Sequence, residues 1–180
     1  MVKLLPLRAP KQRRKFFGVQ DFFSKRREEG YERKSWAEIE IQSSASKFFN
    51  LFVTQVHEIQ NITDEVHQIK LHQGDWHGLG SHSVKHWTYT LGGKVVNCKE
   101  HFEEIDRANK TLTLNIFDRH ASELYKMLKG KIKVVEKGEG ALVKWTYKYE
   151  KVHEAIPPPQ AYLDLAIKVV KDVDAHLLKA

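Results

Sequence analysis

The hydrophobic pattern of this chain changes period three times, and each change marks a boundary. Over residues 36–42 it alternates in twos: Ala37, Ile39 and Ile41 stand against Trp36, Glu38, Glu40 and Gln42. That predicts a strand with one wet face. Ser43-Ser44 then offers side-chain oxygens for a helix start, and Phe48, Phe49, Phe52 and Val53 recur at helical spacing over residues 45–53. A second short helical turn is predicted over residues 55–59. Period two returns over residues 66–72, 83–90, 94–105, 111–117, 124–135 and 141–152, so seven strands are predicted in all. Gly92-Gly93 predicts a two-residue hairpin, and Gly138-Glu139-Gly140 a turn between the sixth and seventh strands. Strands in unbroken succession, with helices only near the two ends, predict an antiparallel sheet of the α+β class.

The last change of period is the sharpest. Pro157-Pro158-Pro159 cannot extend a strand ladder, because proline has no amide proton. About twenty residues without Gly or Pro follow, and they read as one terminal helix. On a helical wheel Tyr162, Ala166, Val169, Val170, Val173 and Leu177 fall together, flanked by Leu163, Leu165 and Ile167, with Asp164, Lys168, Lys171 and Asp172 opposite. The apolar arc is about 200° wide, roughly twice that of an ordinary surface helix, and a helix of about 20 residues is roughly 30 Å long. Such a helix should cross the whole sheet and be wrapped by it.

Alternation assigns the side chains that face it. Leu112, Leu114 and Ile116 share one face against Thr113 and Asn115; Val143, Trp145, Tyr147 and Tyr149 oppose Lys144, Thr146 and Lys148. Aromatic residues with polar tips in the inward set suit an apolar pocket with a few hydrogen-bonding points. The candidate lining is Phe52, Trp87, Tyr89, Leu112, Leu114, Ile116, Val143, Trp145, Tyr147, Tyr162, Ala166, Val169 and Val173. The competing reading is that these side chains simply fill the core.

Composition adds a boundary. At 180 residues one domain is the default, and the formal net charge of +7 is uneven: residues 1–34 hold 11 Lys/Arg against 4 Asp/Glu, leaving 19 against 19 beyond them. The clusters Arg13-Arg14-Lys15 and Lys25-Arg26-Arg27 interleave with Phe16-Phe17 and Phe22-Phe23. Residues 1–34 are therefore expected to be a basic disordered extension, with room for a short amphipathic helix. A secretory signal lacks its apolar length and cleavage site; an organelle transit peptide is the alternative that stays open, although Asp21, Glu28, Glu29 and Glu32 are unwelcome in one. The remainder, neutral in sum, offers no broad footprint for nucleic acid. The single Cys98 allows no internal disulfide, which fits a reducing compartment. No apolar run reaches the length of a membrane span.

Little in the chain points to chemistry. The glycine-rich loop Gly74-Asp75-Trp76-His77-Gly78-Leu79-Gly80-Ser81 lacks the Lys of a phosphate-binding loop and has the wrong glycine spacing, so a tight turn is expected. His72, His77, His82 and His86 recur at intervals of five, five and four with no Cys nearby, a poor metal set. Glu103-Glu104 reads as a charge pair on the solvent side of a strand end. Neither metal nor cofactor is expected.

Several segments together resemble one family. Gly74-Asp75-Trp76, His86-Trp87-Thr88-Tyr89-Thr90, Gly93-Lys94-Val95, Lys137-Gly138-Glu139-Gly140-Ala141-Leu142-Val143, Pro159-Gln160-Ala161-Tyr162-Leu163-Asp164 and Lys171-Asp172-Val173-Asp174-Ala175-His176-Leu177-Leu178 resemble the plant major latex proteins, among the Bet v I-like pathogenesis-related proteins. The likeness runs from Trp36 to the end of the chain. It implies the helix-grip (START-like) fold: a curved antiparallel sheet, two short helices in a V, and a long C-terminal helix gripped over a hydrophobic cavity. It also implies a cytosolic, monomeric, non-enzymatic protein of defence and stress responses that binds apolar small molecules such as sterols, flavonoids or hormones. The alternatives it brings are a cavity enzyme of the Pictet-Spengler type, whose Lys and carboxylates find no residue-by-residue match here, and a weak ribonuclease. Two departures stand out. Residues 1–34 look foreign to the family, as an unusual extension or a mistaken start, and the loop after Phe117 reads Asp118-Arg119-His120 where the family carries Gly-Asp.

Overall fold

The structure, a computed structural model, describes residues 17–18 and 32–179. Strand β1 (Phe17–Gly18) is two residues long, and β2 (Arg33–Ile41) is the first full strand. Helix α1 (Ala45–Thr54) starts where Ser44 Oγ accepts from the Lys47 amide at 3.3 Å, as its side chain suggests. A single turn at Val56–Glu58 leads into α2 (Ile59–Ile62). Strands β3 (Val66–Gly74), β4 (Ser83–Leu91), β5 (Lys94–Asp106) and β6 (Thr111–Phe117) follow. After α3 (Arg119–Leu124) come β7 (Tyr125–Lys137), β8 (Gly140–Lys151) and finally α4 (Gln160–Lys179).

All strand pairs are antiparallel, in the order β1-β2-β8-β7-β6-β5-β4-β3. The last strand thus joins the first, with Arg33 opposite Tyr149 and Ile41 opposite Ala141. Register shifts at Val66/Gln68, Leu71/Gln73, Phe102/Glu104 and Tyr125/Met127 mark bulges, which bend strands and deepen the curvature of the sheet. At the Gly92-Gly93 hairpin both residues have positive φ (57° and 83°), the requirement of a type I′ turn. The β7–β8 turn is tighter than expected. Its two residues are Gly138 and Glu139, with Gly138 at φ 61°, and Gly140 already pairs with Lys137 in the ladder.

The concave face of the sheet holds α1, α2 and α4. Helix α4 buries Tyr162, Leu163, Ala166, Ile167, Val169, Val170 and Val173, the arc predicted from its wheel, while Leu177 at its end is half-buried. Its last turns are clamped to the β2–α1 corner: the Asp174 carboxylate accepts from Gln42 N (3.1 Å), Ser43 N (2.8 Å) and Ser43 Oγ (2.6 Å). Lys168 reaches Asp64 at 3.2 Å, ahead of β3, and Asp172 at 2.8 Å on its own helix.

Two features differ from the expectation. Helix α3 was not foreseen, since six residues with Ala121 and Leu124 as their apolar pair are too short to show a period. Strand β2 begins at Arg33, so Arg33 and Lys34 belong to the sheet, and Glu32 pairs with Lys148 at 2.6 Å. Within residues 1–31 only Phe17 and Gly18 are described, opposite Ala37 and Trp36. The two basic clusters and the expected disorder lie outside the described residues. Among the described residues no helix is long and apolar enough to cross a membrane.

Candidate ligand cavity

Between α4 and the sheet lies a cavity of about 50 Å³, room for a few water molecules. Ten of the predicted residues line it: Phe52 from α1, Trp87 and Tyr89 from β4, Leu114 and Ile116 from β6, Trp145 and Tyr147 from β8, and Tyr162, Ala166 and Val169 from α4. Leu112, Val143 and Val173 are fully buried but lie off its wall. Val143 faces Ile39 in register, toward the corner that Asp174 clamps, and Leu112 is one inward position beyond Leu114, beside Ile132. Sequence reasoning missed Val56, Ile59, Val66, Glu100 and Phe102, which complete the wall with Leu165. For Glu100 and Phe102 a signal existed: they share the parity of the buried Cys98 along β5, so all three face inward.

The belt of the cavity is the register row Leu114–Gly130–Tyr147. A Cβ on Gly130 would stand 2.9 Å from a Leu114 methyl and 3.4 Å from the Tyr147 ring. Glycine in this row therefore gives both lining residues their space.

Tyr162 is the hub of the wall. Its ring meets those of Tyr89 and Tyr147 at 6.2 Å, Tyr125 at 6.5 Å and His120 at 5.9 Å, mostly edge to face. Its hydroxyl lies 2.9 Å from His120 Nδ1 and 3.4 Å from Cys98 Sγ. Burial, reinforced by Cys98, pushes the Tyr162 phenol far above its ordinary range; burial does the same to Tyr89 and Tyr147. These phenols stay protonated and can donate.

His120 stands in the first turn of α3, which follows directly on Phe117 and Asp118. Asp118 (φ 67°) and Arg119 (φ 44°) occupy the left-handed region there, which glycine tolerates better. Asp118 is held by Lys99 at 3.1 Å, and its amide donates to Ser122 Oγ at 2.8 Å. Burial lowers the His120 pKa, so the ring is neutral near pH 7.

The other candidate chemistry resolves into structure. The glycine-rich stretch is longer than the tight turn expected: eight residues, 75–82, join β3 to β4 and end in a single helical turn at Gly80–His82, with Gly74 at φ 77° and the Asp75 amide donating to the His82 carbonyl at 3.0 Å. Among the described residues no three His, Cys, Asp or Glu side chains converge as a metal set would. Glu103 pairs with Lys129 at 3.1 Å, and Glu104 is exposed. Charge is unevenly placed on the fold: Lys34, Lys129, Lys131, Lys133, Lys144 and Lys148, with Glu103 as the one carboxylate among the described lining residues, line a groove on the outer face of the sheet, with Trp36 under the Lys144 ammonium at 5.3 Å.

A curved antiparallel sheet closed by one long helix over an internal cavity defines the helix-grip class of small-molecule binding folds. The chain belongs to the Pathogenesis-related protein Bet v 1 family, which matches residues 31–180. It is similar to MLP-like protein 34 of Arabidopsis thaliana, 33% identical over 144 residues, which are 78% of this chain and 45% of that protein. It is also similar to MLP-like protein 43 of the same plant, 32% identical over 144 residues, 78% of this chain and 90% of that one. The crystal structure of major latex-like protein 151 from Panax ginseng superposes with a TM-score of 0.77 at 33% identity, covering 82% of this chain and 98% of that chain.

Proposed function

We propose that the protein is a non-enzymatic carrier or sensor that encloses a small apolar molecule between the sheet and α4. In this reading it acts as a cytosolic monomer in plant defence or stress responses, like the major latex proteins it resembles. The observation that carries the reading is the cavity at the Tyr162 hub, walled by aromatic rings. The indole Nε1 of Trp87, a lining residue, is buried with no acceptor among the described residues. A filled core pairs its buried polar atoms.

Pockets for drug-sized ligands hold about 300–1,000 Å³, so 50 Å³ admits a sterol-sized molecule only if the wall gives way. The sheet is tied by its ladders, whereas α4 is held by side-chain packing and by the Asp174 and Lys168 contacts. Helix α4 is therefore the wall that moves. N-Phenyl-1-naphthylamine, a neutral apolar fluorophore, should bind the native protein saturably and raise its melting temperature, because a ligand of the folded state stabilises it by mass action. Ala166→Trp should fill the space and abolish the fluorescence while the protein stays folded. Native protein that takes up no fluorophore would sink the carrier reading.

A further inference from the structure

The inward face of the sheet carries two charged groups that the apolar reading leaves unused. Lys85 on β4 and Glu100 on β5 stand directly opposite each other in register. Glu100 lines the cavity. Lys85 is fully buried, its Nζ has no hydrogen-bond acceptor among the described residues, and it sits 4.2 Å from the ring centroid of the lining residue Phe102. The two side chains make no salt bridge with each other. A buried ammonium resting on one ring face is only partly compensated, and an unpaired buried donor is costly.

We propose that Lys85 and Glu100 are the head-group site of the cavity, built to take the hydroxyl of a neutral, hydroxylated apolar ligand, whose hydrocarbon body lies toward the Tyr162 hub. The donor and acceptor inventory singles out this group. An ammonium only donates and an ionised carboxylate only accepts, so one hydroxyl, able to accept and donate at once, bridges a pair that is not in direct contact. Charge balance points the same way. The pair sums to zero, so a neutral ligand leaves no net charge in the interior, whereas a carboxylate or an amine would add one. The groups around the pair are consistent with this. Asp75 on the loop after β3 supports the Lys85 charge, the Glu100 carboxylate helps to keep the Tyr147 phenol protonated, and the Lys85 charge helps to keep His101 on β5 neutral. Burial disfavours both charges, lowering the Lys85 pKa and raising that of Glu100 to about 7, and their mutual attraction opposes it.

The inference rests on the carrier reading, and the test separates the two. Decanol, decanoate and decylamine share one chain and differ in the head; each is titrated at pH 8 against bound N-phenyl-1-naphthylamine. Wild type should prefer decanol. Glu100→Gln leaves the ammonium alone and should shift the preference toward decanoate by roughly tenfold, while Lys85→Met leaves the carboxylate alone and should shift it toward decylamine by a similar factor. A purely structural pair would weaken all three ligands together. In wild-type protein labelled with ¹⁵N-lysine, the Lys85 ammonium resonance should move on adding decanol and not on adding the fluorophore, which covers the case of a variant that fails to fold. If the fluorophore binds but the order of the three heads is the same in every variant and the Lys85 resonance is unmoved, the head-group site falls and the carrier reading stands. Absence of fluorophore binding to wild type overturns both.

Discussion

His120 and Glu100 make opposite demands as pH changes, and the sign of each can be worked out. Burial lowers the pKa of His120, and also of His86 and His101, below the ordinary value near 6.5. The unfolded chain therefore takes up their protons first as pH falls. Their contribution is complete above about pH 6.5 and is lost as pH drops through the folded values. Glu100 does the reverse. Its carboxyl is raised from 4.5 to about 7, so its contribution is present at low pH and lost as pH rises toward 7. Glu100→Gln removes the opposing slope and should steepen the fall in melting temperature between pH 7.5 and pH 5.5. His120→Gln, which keeps a polar partner for Tyr162, should flatten that fall by roughly 1–3 °C. Thermal melts of the three proteins at the two pH values test this, and parallel slopes would show that neither group is coupled to folding.

For α4 the decisive question is which of its contacts hold it in place. Val173 has no exposed surface, so Val173→Asp would bury an unpaired carboxylate and should cost about 4 kcal/mol or more. Asp174→Ala leaves the amides of Gln42 and Ser43 without their acceptor and should cost about 2 kcal/mol. Lys168→Gln breaks ion pairs on a half-exposed side chain, one of them to the exposed Asp64, and should cost at most about 0.5 kcal/mol. Urea midpoints at constant slope measure all three. Equal losses would mean that α4 is seated by its charges and not by its apolar arc.

For the whole molecule, the folded unit is expected to begin near residue 31, where the family match starts and just before β2. Among the described residues, removing residues 1–31 takes away the two-residue pairing of β1, and it should leave fluorophore affinity unchanged and the melting temperature within roughly 3 °C. Removing residues 1–34 also deletes Arg33 and Lys34 from the β2–β8 ladder and the 2.8 Å pair between Arg33 and Glu154, so it should destabilise more. A shorter deletion that already prevents folding would place residues 1–31 in the core.

Local periodicity was enough to determine where the strands and long helices lie and which way most side chains point. Leu112, Leu114 and Ile116 face inward because a pleated strand alternates, and Tyr162, Ala166 and Val169 share a face because a helix turns every 3.6 residues. What periodicity cannot carry is the identity of a neighbour across the sheet. Lys85 faces Glu100, and the lysines of β2, β8 and β7 gather into one groove, only because of the order and register in which distant strands pair. The inward place of Glu100 follows from the same parity as Cys98 and Phe102, yet the cost of burying a charge argues against it until Lys85 is seen opposite. The size of the cavity is decided last and by the whole fold. It is the small difference between the space enclosed by sheet and helix and the side chains that fill it, and a single position such as Gly130, short by one methyl group, shifts that difference.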